Sequence, residues 1–404
     1  MIKREQYMKQ IRPFINSDLV KVLTGIRRSG KSVMLDLIKQ ELMESGISKS
    51  QFLTINFETM DNAKYCTAQA LHDRIEHFFS SVNGKAYLFF DEIQEVQEWE
   101  RCINSCRVEY DCDIYITGSN ARLLSGELAT YLAGRYVEFV IYPFSFSEFL
   151  EVHRLGHPSA DTSLIFRDYI LTGGMPFLTN LLGTPDACTQ YLKDIYNSVV
   201  LKDVVKRNNI RDVDLLERTI TYLLANVGHS FSANSLSKYF KSENRTVSHE
   251  TILNYIKACS EAFLFYKINR EDLIRKKVLS VNEKYYVADH GLREAVYGSN
   301  NRDMDQILEN IVCLELLRRG YCVSVGKSNS REIDFVSVKN GQRLYIQVSY
   351  LLANAETIER EFGVYKNISD NYPKYVLSMD EFDMSRNGIK HFHIRDFLLM
   401  EEWI

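Results

Sequence analysis

At 404 residues the chain is too long for one ordinary hydrophobic core and is expected to divide into two to four domains. Apolar residues at 45% and charged residues at 25% give an ordinary globular balance, and a net charge of −4 excludes a bulk basic field of the kind that gathers nucleic acid. The charge is uneven, however: residues 201 to 290 carry 15 Lys and Arg against 11 Asp and Glu, so an anionic partner would meet the middle of the chain.

The first residues, Met1 to Gln6, lack an apolar signal core, and no apolar run is long enough to span a bilayer. A cytoplasmic protein without a membrane partner is expected. Leu19 to Leu23 has the β-branched and aliphatic content of a buried parallel strand. It leads into Gly25 to Ser32, which spells a complete G-x-x-x-x-G-K-S phosphate-binding loop. Val33, Leu35, Leu37, Ile38, Leu42 and Met43 then recur at near-helical spacing up to Gly46, a helix stop.

Gly25, Arg28, Ser29, Gly30, Lys31, Ser32 and Val33 are therefore the candidate nucleotide-binding residues. Glycines let the backbone curl around phosphate oxygens and the helix start offers unpaired N–H groups. Lys31 neutralises the β and γ phosphates, and Ser32 is a ligand for Mg²⁺. ATP and Mg²⁺ are the expected cofactors.

Residues 86 to 92 form an apolar run that ends in Asp91 and Glu92. A hard cation wants oxygen ligands, which makes Asp91 the second candidate for Mg²⁺, and Glu92 would polarise an attacking water. Cys102, Cys106 and Cys112 are the closest cysteine cluster, but no His stands nearby and reduced, buried thiols are expected. Asp113 to Thr117 is another strand, followed by Gly118, Ser119 and Asn120, where Asn120 would sense the γ-phosphate. Ala121 to Arg135 reads as a helix with a glycine stop at Gly134. Arg135 would then enter the next strand near the nucleotide edge, as an arginine finger or sensor, or else as a surface ion pair.

Strand candidates at 19 to 24, 52 to 57, 86 to 90, 113 to 117 and 136 to 141 alternate with helical patterns, which implies a parallel sheet covered by helices. His153 and His157 have helical spacing, but Gly156 and Pro158 favour a surface loop there. From about 145 to 215 the pattern is helical, broken by a turn at Thr172 to Pro176, and such a piece could act as a lid. Helices at 214 to 227, 233 to 240 and 248 to 259, followed by strands at 263 to 268 and 278 to 287, have the layout of a winged helix-turn-helix. The helix from Ser248 would expose some of His249, Asn254 and Lys257, with Arg270, Arg275, Lys276 and Lys277 on the wing to grip phosphates. The last 115 residues are α/β again, with a helix at 306 to 320 and strands around Asp334 and Gln347.

These stretches together resemble the bacterial and archaeal AAA-like ATPases that pair a phosphate-loop domain with a C-terminal domain of unknown function. The resemblance runs over nearly the whole chain and is carried by Thr24 to Ser32, Phe89 to Gln94, Thr117 to Ala121, Leu132 to Arg135, Tyr142 to Phe149 and Thr172 to Pro176. It implies ATP binding, a winged-helix middle and a C-terminal fold similar to restriction-type nucleases. In that chemistry a carboxylate, a second carboxylate or Gln, and a Lys two residues later hold a metal and activate water. Asp334 and Gln347 match, Glu309 or Glu315 could serve from the helix, but Ser349 stands where Lys is needed, so an inactive scaffold is expected.

The fold class expected is α/β: an AAA-like phosphate-loop domain at 1 to 150, a helical lid at 151 to 213, a winged helix-turn-helix at 214 to 290 and a nuclease-like domain at 291 to 404. The expected function is an ATP-hydrolysing switch whose nucleotide state governs binding to double-stranded DNA or a protein partner. The alternatives are a metal-dependent nuclease regulated by ATP, and a nucleotide-gated scaffold that never touches DNA.

Overall fold

Five short aliphatic and aromatic runs become β1 (Val20–Thr24), β2 (Phe52–Asn56), β3 (Ala86–Asp91), β4 (Cys112–Thr117) and β5 (Tyr136–Val140). All pair in parallel, in the order β2-β3-β4-β1-β5. A parallel pair needs a crossover between its strands, and helices α2 (Lys31–Glu44), α3 (Ala68–Phe79) and α4 (Trp99–Glu109) supply it, after a short N-terminal α1 (Glu5–Ile11). β1, between β4 and β5, is buried along its whole length, which is why its sequence is aliphatic without alternation. Because all five strands run one way, Thr24, Asp91 and Thr117 end at one edge of the sheet.

The computed structural model describes residues 2–124, 132–273, 277–298, 303–328 and 331–403. They fall into two units, Met1–Tyr142 with Glu261–Phe263, and Pro143–Ser260 with Leu264–Ile404. In the first, Leu88, Phe90, Ile103 and Ile114 belong to one buried cluster with Leu71 and Ile75 of α3. Cys102 and Cys106 are buried free thiols on α4. The expected helix over 121 to 135 begins as a single 3₁₀ turn, Ala121–Leu124, and its continuation over 125 to 131 lies outside the described residues.

An ion pair is sealed in the same unit, near the beginnings of the strands. Lys21 Nζ pairs with Asp113, and neither side chain is exposed. Asp113 also accepts from Tyr115 Oη at 2.7 Å and from the Asn16 amide at 2.8 Å. These donors satisfy its lone pairs, which a buried carboxylate requires.

The second unit is built on a mixed seven-stranded sheet. Its strands are β6 (Phe265–Asp272), β7 (Lys277–Val287), β8 (Cys322–Ser328), β9 (Arg331–Lys339), β10 (Gln342–Val348), β11 (Lys374–Ser378) and β12 (Lys390–His393), ordered β12-β11-β10-β9-β8-β6-β7. Helices Val213–Ala225, Ala233–Ser242 and His249–Glu261 precede it, close to the three expected. The β6–β7 ribbon is not a free wing, however: Arg270 to Asp272 pair in parallel with Val325 to Lys327 of β8. Arg270, expected to grip phosphates, donates instead to Glu332 and to Ser230 Oγ. Arg275 and Lys276 lie outside the described residues, as does the Lys277 side chain.

The expected surface loop at His153 is corrected too. The helix Phe146–Gly156, begun by a Ser145–Glu148 capping box, includes His153; it ends at Gly156, as that glycine suggests, and leaves His157 outside. The turn at Thr172 to Pro176 is held by Asp289, whose carboxylate accepts the Gly174 amide at 2.7 Å and the Gly291 amide at 2.9 Å. A Cβ at Gly173 would stand 2.1 Å from Asp289 Oδ1, so the glycine is a packing requirement.

Candidate nucleotide-binding site

The loop from Gly25 to Gly30 leaves the end of β1 and closes onto the first turn of α2. Gly25 has φ 136° and comes so near the residue that follows β5 that a Cβ would lie 2.3 Å from Ile141 O. Gly30, at φ 99°, caps α2, and Arg28 is left-handed at φ 70°. Such a sequence of turns points backbone N–H groups inward at a helix N-terminus, where they favour an anion. Ser29 Oγ is buried there with no hydrogen-bond partner. The Lys31 ammonium reaches back over the loop, donating to Gly25 O at 3.1 Å and Ile26 O at 3.2 Å. Ser32 and Val33 are exposed on the first turn of α2.

β3 delivers the two carboxylates beside this loop. The Ser32 hydroxyl bonds the Asp91 carboxylate, which also accepts from Asn56 Nδ2 at 2.9 Å and Thr117 Oγ1 at 2.5 Å. Glu92 follows in a left-handed turn at φ 55°, its amide donating to Thr117 Oγ1 at 2.9 Å. That turn sends its carboxylate to 3.8 Å from Lys31 Nζ, where the Gln94 amide and Ser119 also bond it.

The two acids titrate in opposite directions. Burial, reinforced by the Glu92 charge, pushes the Asp91 carboxyl up against the hydrogen bonds from Thr117 and Ser32. Burial also works to raise Glu92, but Lys31 and the Gln94 amide outweigh it and hold Glu92 below the usual carboxylate range. Glu92 is thus an ionised group facing an ammonium, in a place from which water is largely excluded.

These residues fit a triphosphate with a divalent cation. An anion-favouring loop, an orphaned hydroxyl on Ser29, the buried ammonium of Lys31 and the adjacent oxygens of Ser32 and Asp91 are the groups such a ligand requires. Asn120 is buried in the loop after β4, at the same sheet edge as Asp91.

Arg135 is not brought to this edge. The parallel register pairs Val20 with Tyr136 and Thr24 with Val140, so Arg135 sits where β5 begins, bonded through its carbonyl to the Val20 amide at 2.9 Å. Four residues of strand, about 13 Å, separate that end from the loop. Its guanidinium is exposed and donates to Asn104 Oδ1 at 3.3 Å. A strand is entered at the end opposite to the one where a parallel sheet collects its ligands, which the expectation overlooked.

Arg4, Asn56 and Thr117 were not singled out from the sequence for any contact here. Arg4, 2% exposed, donates to Ser29 O at 2.9 Å and to Tyr142 O at 2.8 Å, fastening the loop to the end of the unit. Tyr142 N–H in turn donates to Tyr7 Oη at 3.1 Å. Nothing local marks Arg4, whose acceptors lie 25 and 138 residues away.

In the second unit, Gln347 accepts the Asp334 amide at 3.2 Å, and the Asp334 carboxylate accepts the Val348 amide at 2.9 Å. Burial, with Glu309 nearby, drives Asp334 well above its ordinary range. Glu315 does not join them, being engaged with Arg318 and with Arg319 at 2.7 Å. Ser349 is buried, its hydroxyl 3.4 Å from Leu351 O.

The family model of an AAA domain matches residues 17–150, and that of a domain of unknown function, DUF8612, matches residues 163–303. An uncharacterised protein of Haemophilus influenzae is 38% identical over 99% of this chain and 99% of its own. An uncharacterised protein of Methanocaldococcus jannaschii is 31% identical over 86% of this chain and 78% of its own. Among solved structures, the Aeropyrum pernix ORC1 protein in complex with DNA overlaps 73% of this chain and 91% of its own at 12% identity and a TM-score of 0.33. No helix among the described residues is long and apolar enough to cross a membrane.

Proposed function

Since the chain belongs to one family with these Haemophilus influenzae and Methanocaldococcus jannaschii proteins, and carries an AAA domain, we propose that it is an ATP-binding and ATP-hydrolysing switch. The observation that carries this is the meeting of Lys31, Asp91 and Glu92, from two different elements, at the N-terminus of α2.

In this reading Gly25, Arg28, Ser29, Gly30 and Val33 shape the loop that receives the phosphates, and Lys31 exchanges the carbonyls of Gly25 and Ile26 for phosphate oxygens. Ser32 and Asp91 hold Mg²⁺, which supplies charge neutralisation when bound. Glu92 orients a water and takes its proton, a role open to it because the Lys31 charge keeps it ionised. Asn120 reads the terminal phosphate. Arg135 serves only across an interface with another chain, since its own loop lies at the far end of β1.

The lid over 151 to 213, the three-helix face that follows it, the inactive nuclease-like end and the cytoplasmic location belong to the same proposal; the boundary at 290 does not, because β6 and β7 share one sheet with β8 to β12. His249, Asn254 and Lys257 are exposed on the helix His249–Glu261, which supports a face presented to DNA or to a protein. ATP turnover with and without duplex DNA tests the coupling, and turnover identical at every DNA concentration and salt would remove DNA from it.

A further inference from the structure

In the second unit one buried ammonium stands among three carboxylates. Lys284, on β7, is 4% exposed, and its Nζ lies 2.9 Å from Glu332, 3.0 Å from Glu309 and 3.9 Å from Asp334. The three acids come from two elements: Glu309 from the helix Met304–Arg318, Glu332 and Asp334 from one face of β9. Each has another partner as well. Tyr286 Oη donates to Glu309 at 2.5 Å, Arg270 donates to Glu332, and the Val348 amide donates to Asp334.

The restriction-nuclease-like fold implied by resemblance calls for a divalent ion at Asp334 and Gln347. The residues present do not fit one. Magnesium demands about six oxygens in near-octahedral array at about 2.1 Å, with open positions for water. Here the oxygens converge on a nitrogen, and Gln347 spends its oxygen on the Asp334 amide. An ammonium neutralises the carboxylates as a compact point charge but is no Lewis acid and generates no hydroxide. The neighbouring cleft of about 500 Å³ adds Glu356, Glu359 and Glu361 against Arg331 and Arg360, so a phosphodiester backbone would meet a negative mouth.

We propose that the Lys284 ammonium is the resident cation of this carboxylate group, occupying the place a divalent ion would take, and that exchanging it for an uncharged side chain opens a divalent-cation site at Glu309, Glu332 and Asp334. Ser349 is then one of two departures from a metal site, and the less important: restoring lysine there leaves the centre filled.

The test is Mn²⁺ uptake by nucleotide-free, full-length protein, read from loss of the free-ion paramagnetic resonance signal. Wild type is expected to take up no Mn²⁺ that depends on Asp334, Lys284→Met to take up one ion per chain, and Lys284→Met/Asp334→Asn to lose it again. Wild-type uptake abolished by Asp334→Asn alone would overturn the proposal. So would a folded Lys284→Met, checked by near-ultraviolet circular dichroism, that gains no ion. If Lys284→Met fails to fold, Lys284→Gln, uncharged but still able to donate hydrogen bonds to the carboxylates, keeps all three acids and carries the same readout. No nucleotide enters the measurement, so it stands apart from the ATP-binding reading.

Discussion

Thr117 Oγ1 donates to the Asp91 carboxylate at 2.5 Å and in the same position accepts the Glu92 amide, so one hydroxyl sets two consecutive acids. Thr117→Val keeps the shape and removes both bonds. It is expected to destabilise the fold by about 1–3 kcal/mol, the usual cost of stranding buried polar groups, with the loss measured by urea unfolding. The Glu92 turn should loosen with it, so turnover falls more than ATP affinity.

Glu92→Gln removes the base while leaving the amide bond to Thr117 and the shape of the loop. ATP affinity should stay within a few-fold of wild type while turnover drops by about 100-fold or more. Comparable turnover in the two proteins would take the role away from Glu92.

Arg4 has two carbonyl acceptors that diverge, Ser29 O and Tyr142 O. A planar fork spans them and a single ammonium does not. Arg4→Met is expected to cost about 1–3 kcal/mol of stability and to weaken ATP binding, and Arg4→Lys to restore neither in full. Thermal melting with and without ATP separates the two effects.

Arg135→Ala should leave ATP affinity unchanged, because its strand begins at the end of β1 remote from the loop. If turnover falls on this substitution, it should do so only at protein concentrations where chains associate, as read by light scattering alongside the assay.

In the second unit, His391 is built to be neutral. Its Nδ1 accepts the Met384 amide at 3.2 Å, which places the ring proton on Nε2, 2.9 Å from Ser378 Oγ. Burial lowers its pKa below 6.5, against the pull of Asp380 and Asp383. Between the folded value and 6.5 the unfolded chain binds more protons than the folded one, so stability is whole above about 6.5 and declines as the pH falls through that window. Denaturation midpoints from pH 7.5 to 5 should show the decline in wild type and a shallower one in His391→Gln.

Much of the first unit is legible in the sequence because its signals are local. The phosphate loop, the aliphatic β1 before it, the acids closing β3 and the polar turn after β4 each announce themselves within about ten residues. What was not legible depends on register and distant pairing. Arg135 is a different case: it precedes β5, and chain direction alone puts the start of a parallel strand at the end away from the ligand. Arg4 and Lys284 find their partners through chain segments far away in sequence. The wing became part of a larger sheet because β6 meets β8 some 55 residues later, a match no periodicity reveals.

The most direct test of the central claim, that ATP lodges between the Gly25–Gly30 loop and the Asp91–Glu92 pair, is isothermal titration of ATP with Mg²⁺ into wild type and Lys31→Ala. The account predicts saturable binding near one ATP per chain, weakened by about 100-fold or more when the lysine is removed. Binding of equal strength in both proteins, or none in folded wild type, would contradict it.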